Sequence, residues 1–314
     1  MAKFRGAPRG AVFLVVLIFV ICSGYYMADA LNPSAADRLT RFNNGLRSEI
    51  ERLEKKHGCR IGVSFRDDEI PFEFGYRGNE LFHAASTMKV PVMIEVFHNV
   101  EQGRMKLDDT VLLNPICQSM IDNSDFECDA EKYLTARLGQ QETILKLTEQ
   151  MIVVSDNLAT NLLIRMVTPQ RITATMRALG AKDGFVLRGV QDELAYRAGV
   201  SNKLTPNDLT TLMAAIADDK AGTPKSCEAM REILFAQEHN TMIPAQLPAG
   251  TRVAHKTGSI TKIRHDTAIV YTDKGRYVVT IMTDGIENEE ESTALVADLS
   301  RRIYEGRDDL RPLR

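Results

Sequence analysis

Ser86-Thr87-Met88-Lys89 runs without a break into Val90-Pro91-Val92-Met93-Ile94-Glu95-Val96-Phe97. The second part is apolar almost all round, the mark of a helix buried on every side. Pro91 lacks a backbone N–H, so a loose or kinked start is expected at this point. On such a helix Ser86 and Lys89, three residues apart, share one face. From Ser86 to about Leu179 the pattern stays helical. Gln141 to Ile152 and Leu158 to Val167 read as two further helices, with Pro169 and Gly180 as punctuation.

On either side of this stretch the period changes. Residues 35–56 predict an amphipathic helix with Leu39, Phe42, Leu46, Ile50 and Leu53 on one stripe. Arg60 to Phe65 and Phe72 to Tyr76 read as strands around a polar turn at Asp67-Asp68-Glu69. Residues 181–204 show no period and read as a long loop, followed by a helix from Asn207 to Ala217. Strands resume at Arg252 to Ser259, Thr267 to Thr272 and Arg276 to Thr283, with Asp273-Lys274-Gly275 as a hairpin turn. Leu295, Leu299 and Ile303 mark a closing helix. Helix and strands at both ends of a helical middle predict an α+β fold. Residues 31–83 and 225–314 would form an antiparallel sheet flanked by the N- and C-terminal helices, and residues 84–224 an inserted all-helical domain.

The chain has 314 residues and is 44% hydrophobic, enough for one or two packed cores. A net charge of −3 gives no electrostatic footprint for nucleic acid. Lys3, Arg5 and Arg9, an apolar run from Ala11 to Cys22, and Ala28-Asp29-Ala30 follow the three-part layout of a secretory signal peptide over residues 1–30. The run is shorter than the roughly 20 residues of a membrane span. An uncleaved anchor extending through Tyr25 and Tyr26 is the alternative. The expected location is therefore periplasmic or extracellular, with membrane contact only through this segment, and the expected state is monomeric. Cleavage after Ala30 leaves Cys59, Cys117, Cys128 and Cys227 in an oxidising compartment. Four cysteines allow three pairings, and Cys117 with Cys128, in one polar stretch, is the favoured pair. No Cys/His spacing suggests a metal, and no cofactor is signalled.

Two more strings follow Ser86-Thr87-Met88-Lys89 in order: Ser155-Asp156-Asn157 and Lys256-Thr257-Gly258. Ser-x-x-Lys alone is weak, since about one copy arises by chance in a chain this long. Ser259-Ile260-Thr261-Lys262 also fits it, but follows a strand and opens no helix. The other two strings are rarer, and all three in order, each in a fitting structural setting, make coincidence a poor explanation. A serine hydroxyl needs a neighbour to take its proton, and a lysine near a helix N-terminus is pushed toward its neutral form by the dipole and by burial.

With these strings the chain resembles the class A-type serine β-lactamases, within the penicillin-recognising serine hydrolases, over about residues 35 to 305. His83 to Val92 and His255 to Ser259 are the most specific stretches. The resemblance implies that Ser86 is acylated, that Lys89 is its base partner and that Ser155 relays a proton to the leaving nitrogen. It implies that Asn157 binds the substrate amide, and that Lys256, Thr257 and Ser259 hold the substrate carboxylate. Gly258 would let the backbone approach closely, and the N–H groups of Ser86 and Ser259 would form an oxyanion hole. Asp156 reads as a structural hydrogen-bonder. The plainer alternatives are Asn157 as a helix cap and Lys256 as a solvated edge charge.

The family carries a glutamate in its long loop that activates the deacylating water. Here the loop reads Arg188-Gly189-Val190-Gln191-Asp192-Glu193-Leu194-Ala195. One alignment puts Gln191 at the key place, where an amide cannot take a proton; Asp192 and Glu193 are the candidate bases. Arg264 is a further candidate for a substrate carboxylate. His265 and Asp266 beside it read as a turn histidine and a structural aspartate, against a Ser-His-Asp triad. The reading is an exported serine hydrolase, a β-lactamase acting through an acyl-enzyme on Ser86. The alternatives are a D,D-peptidase or esterase with the same apparatus, a covalent penicillin-binding protein with slow deacylation, or a binding protein without chemistry. The partner is a small β-lactam or a cell-wall peptide.

Overall fold

A computed structural model describes residues 34–70 and 72–310, and the expected signal or anchor segment lies outside them. Helix α1 spans Ala35–His57. The Ser34 hydroxyl caps it by accepting from Asp37 N at 3.1 Å, and Gly58 ends it in the left-handed region at φ 60°. Strands β1 (Arg60–Asp67) and β2 (Glu73–Tyr76) follow, then the short β3 (Phe82–His83), a 3-10 turn over Ala85–Met88 and α2 (Lys89–Glu101). Pro91 falls in the first turn of α2, where its missing N–H would have had no intrahelical partner.

The predicted helical run is interrupted. Strands β4 (Thr110–Leu112), β5 (Ile116–Gln118) and β6 (Asp125–Glu127), helix α3 (Lys132–Thr135) and strand β7 (Gln141–Thr143) come before α4 (Ile144–Val153). β4 pairs with β7 and β5 with β6. α4 starts later than expected because Gln141–Thr143 is held in that ladder and Thr143 caps the helix, its Oγ1 accepting from Lys146 N at 3.2 Å. α5 (Asn157–Val167) matches the reading, and α6 (Pro169–Ala178), opened by Pro169, falls within the stretch read as helical. The predicted loop of 181–204 holds a short helix, α7 (Glu193–Arg197), and β8 (Lys203–Leu204), which pairs with β3. α8 (Pro206–Ala217) precedes α9 (Pro224–Phe235), which the sequence reading omits.

β9 (Arg252–Ile260), β10 (Ile263–Thr272), β11 (Gly275–Asp284) and α10 (Glu289–Leu310) close the chain. β10 begins at Ile263 rather than Thr267, because the turn after β9 is only Thr261-Lys262, with Lys262 at φ 63°. Arg264, His265 and Asp266 are therefore strand residues and not a turn, a correction to the sequence reading. The main sheet is antiparallel in the order β2-β1-β11-β10-β9. Alternation along β11 supplies two cores: Tyr277, Val279 and Ile281 face α1 and α10, while Val278 and Met282 join the core around α2, α4, α5 and α8. Val90, Val92, Met93, Ile94 and Val96 of α2 are wholly buried, as the all-round apolar pattern requires.

Candidate active site

The 3-10 turn carries Ser86. Ala85 holds a left-handed φ of 45°, and Thr87 Oγ1 donates to Ala84 O at 2.6 Å. Ala85, Thr87 and Met88 are buried, so Ser86 is the turn residue left open to a cavity. Strand β9 lies against this turn at Gly258. A Cβ there would meet Thr87 N at 3.0 Å and Ser86 N at 3.1 Å, so a side chain would force the backbone of the turn to shift. The contact sets Gly258 against the turn, and Ser259 lines the same cavity as Ser86.

Ser155 is held at φ 61° just before α5. Asp156 fixes this corner from within: it is buried, accepts from Ala159 N at 2.7 Å as the cap of α5, and accepts from Glu131 N at 2.6 Å. The capping alternative thus falls to Asp156, as its structural reading required, and not to Asn157. That leaves Asn157 Oδ1 to accept from Lys89 Nζ at 3.0 Å. Lys89 Nζ also donates to Ser155 O at 2.6 Å and Ser155 Oγ at 3.1 Å; none of its hydrogen bonds goes to Ser86. Lys256 Nζ reaches the same Ser155 Oγ at 3.0 Å, and Thr257 O at 2.9 Å. Lys256 is fully buried, which overturns its alternative as a solvated edge charge.

One hydroxyl therefore lies between two buried amines. Burial, then repulsion from Lys256, pushes Lys89 well below the ordinary lysine range. Burial lowers Lys256 to about 7, opposed by the charge of Asp266. The arrangement can hold a neutral amine at Lys89 and move a proton through Ser155 Oγ.

The loop of 188–197 borders the same cavity of about 300 Å³, together with His83, Ala85, Ser86, Asn157 and Ser259. Gln191, at φ 63°, is clamped by Asp129: its Oε1 accepts from Asp129 N at 2.9 Å and its Nε2 donates to the Asp129 carboxylate. Asp192 caps α7, accepting from Ala195 N at 3.0 Å, Ser119 Oγ at 2.9 Å and Met120 N at 2.9 Å. Burial would raise its carboxyl, but those donors and Arg188 outweigh burial and hold it below the carboxylate range. Glu193 is exposed and paired with Arg197 at 2.9 Å. The loop rests on the β5–β6 hairpin, which the disulfide Cys117–Cys128 closes; Cys59 and Cys227 are free. The favoured pairing is the observed one.

Arg264 is not brought to Ser86. Its guanidinium donates to the carbonyls of Ile260 and Ile263 at 2.7 Å each and pairs with Glu289, which corrects its candidacy for a substrate carboxylate. The triad alternative fails as well. Buried His265 bonds His83 O at 2.9 Å through Nε2 and accepts from Thr283 N, and burial drives it down to about 4. Asp266 instead accepts from His255 Nδ1 at 3.0 Å behind Lys256. Asp129, Arg188, His83 and Tyr196 are site neighbours to which the sequence reading assigns no role; Arg188 and His83 enter it only as the starts of quoted stretches. A cavity of about 760 Å³ between β1, β2 and α8 is larger, and its two cations, Arg66 and Lys220, both meet Asp218.

A profile of the beta-lactamase enzyme family matches residues 45–306. The chain belongs to that family, in its class A type. It is 28% identical over 275 residues to beta-lactamase Toho-2 of Escherichia coli, covering 84% of this chain and 89% of that one. The solved beta-lactamase of Sphaerobacter thermophilus superposes with a TM-score of 0.75 at 26% identity, covering 86% of this chain and 98% of that one. PBP-A superposes at 0.74 and 26% identity, covering 84% and 96%, and a mutant of it has been captured as an acyl-enzyme with penicillin G. The chain is thus a serine β-lactamase-like hydrolase of α+β fold.

Proposed function

We propose that β-lactams acylate Ser86 rapidly and that hydrolysis of the acyl-enzyme limits turnover. In the first step the Ser86 oxygen bonds to the lactam carbonyl carbon while the ring C–N bond breaks. Neutral Lys89 takes the serine proton, and Ser155 Oγ, in contact with both amines, delivers a proton to the departing nitrogen. The N–H groups of Ser86 and Ser259 stabilise the oxyanion, Asn157 holds the side-chain amide, and Lys256 and Thr257 take the ring carboxylate. The second step needs a base for water. The observation that carries the reading is that Gln191 is an amide clamped by Asp129 and that Asp192 is held by Ser119, Met120 and Ala195, while Glu193 stands exposed in a surface pair with Arg197.

A timed mass spectrum with benzylpenicillin tests this. A stoichiometric adduct on Ser86 that outlasts substrate consumption is expected. An adduct that clears within a second, with product accumulating, overturns slow deacylation and leaves a fast β-lactamase. We propose export as well, supported by the basic and apolar start of the sequence and by a disulfide suited to an oxidising compartment. Recovery of the protein only from the cytosolic fraction would overturn it.

A further inference from the structure

We infer that the cavity beside Ser86 contains an anion subsite in which Arg188 receives a carboxylate carried on the acyl part of the substrate. The inference rests on acylation at Ser86 as proposed above and names the substrate class. Among the described residues three arginines are buried: Arg188 at 8%, Arg264 at 6% and Arg307 at 1% exposed. Arg264 meets Glu289 and Arg307 meets Asp67, but Arg188 has no carboxylate within ion-pair distance among the described residues. Its Nε donates to Val200 O at 2.6 Å and its Nη1 to Gly189 O at 2.9 Å, and no hydrogen bond leaves Nη2.

Asp192 and Glu193 favour this charge through space, but neither carboxylate pairs with the guanidinium directly. The loop neck, where a carboxylate could have matched it, is tied by the neutral amide of Asn202. Its Oδ1 accepts from Leu187 N at 2.8 Å and Arg188 N at 3.1 Å, and its Nδ2 donates to Arg188 O at 3.0 Å. Asp192 is satisfied by three other donors, and Glu193 by Arg197. His83, which also lines the cavity, accepts from Ala85 N through Nδ1; burial first, then Arg188, pushes its imidazole below the ordinary histidine value. A buried cation without a partner is costly, and a carboxylate matches a guanidinium better than any other common group. Arg188 lines the cavity beside Ser86, whereas Lys256, which takes the ring carboxylate, approaches through Ser155. The site therefore suits a substrate with a carboxylate at each end. That chemistry occurs in β-lactams with an acidic acyl side chain and in cell-wall peptides with an acidic acyl residue.

The test measures the second-order rate of Ser86 labelling by α-carboxybenzylpenicillin and by benzylpenicillin, and expresses the preference as their ratio. In the native protein the ratio should fall as salt rises from about 20 to 300 mM. In Arg188→Gln it should drop by about tenfold, and Arg188→Lys should restore part of it. A peptide ester with a glutamyl acyl residue, compared with its glutaminyl counterpart, separates the two sources; a preference in either pair supports the subsite. Ratios that ignore both salt and the Arg188→Gln change overturn it. If that variant does not fold, salt-independence in the native protein is sufficient to do so. Absence of any label on Ser86 would instead overturn the acylation reading beneath it.

Discussion

The two halves of the cavity differ in how their polar groups are used. On one side Lys89, Ser155 and Lys256 converge: Ser155 Oγ lies 3.1 Å from one amine and 3.0 Å from the other, and both amines are buried. On the other side every titratable group of residues 191–193 is turned to a structural partner. The first half gathers two amines around one hydroxyl, and the second holds a loop in place. Acylation and deacylation are separate reactions with separate bases, so a site can keep one and lose the other.

The largest expected effect lies in the first half. Ser86→Ala should abolish covalent labelling, a loss on the order of 10⁶-fold in turnover if it behaves like other catalytic serines; retention of an adduct would move the nucleophile elsewhere. The next sharpens the contrast. Gln191→Glu, combined with Asp129→Asn so that two carboxylates do not face each other, supplies a base where the amide stands. Deacylation should rise by about 10² to 10⁴-fold while the labelling rate changes little. An unaltered adduct lifetime would show that the clamp by Asp129, or water access, sets the limit.

A pH profile reads the first half alone. Lys256, lowered to about 7 by burial, should lose its charge as pH rises through that value, and labelling by a carboxylate-bearing lactam should fall with it. The drop is on the order of tenfold between about pH 6.5 and 8.5, and an uncharged ester substrate should not show it. The sign for stability is opposite. Because the folded value lies below the unfolded one near 10.5, this group's contribution is present above 10.5 and is lost as pH falls to about 7. A labelling rate flat across this range would detach Lys256 from carboxylate binding.

The convergent half was legible because its residues lie in short strings on regular elements. Val90 to Phe97 announces a buried helix, so the place of Ser86 and Lys89 follows from local pattern. The committed half was not, because its partners come from distant, ordinary residues. Nothing marks Asp129 as the holder of Gln191, 62 residues away. Arg264 likewise turns from the cavity because Glu289 and two strand carbonyls receive it, a choice made by tertiary contacts. Helix α9 is a different omission: Thr223 as its cap, Pro224 at its first position and a buried stripe of Cys227, Met230 and Leu234 were all readable.

The smallest effect on chemistry tests whether the halves are independent. The disulfide closes the hairpin whose Ser119 and Met120 hold Asp192, and Asp129, which clamps Gln191, follows Cys128 directly. Replacing Cys117 and Cys128 by serine should lower stability by about 3 kcal/mol for a loop this short, measurable by denaturant unfolding. Among the described residues Lys89 and Lys256, the partners of Ser155 Oγ, make no hydrogen bond to that hairpin, so the labelling rate of the folded variant should stay within about threefold of the native value. The adduct lifetime is the discriminating quantity. If it shortens, the loop's rigidity itself withholds a carboxylate, and Asp192 or Glu193 becomes a base once released. If it does not, residue 191 being an amide is the whole cause, and the Gln191→Glu change is the sole route to rapid turnover.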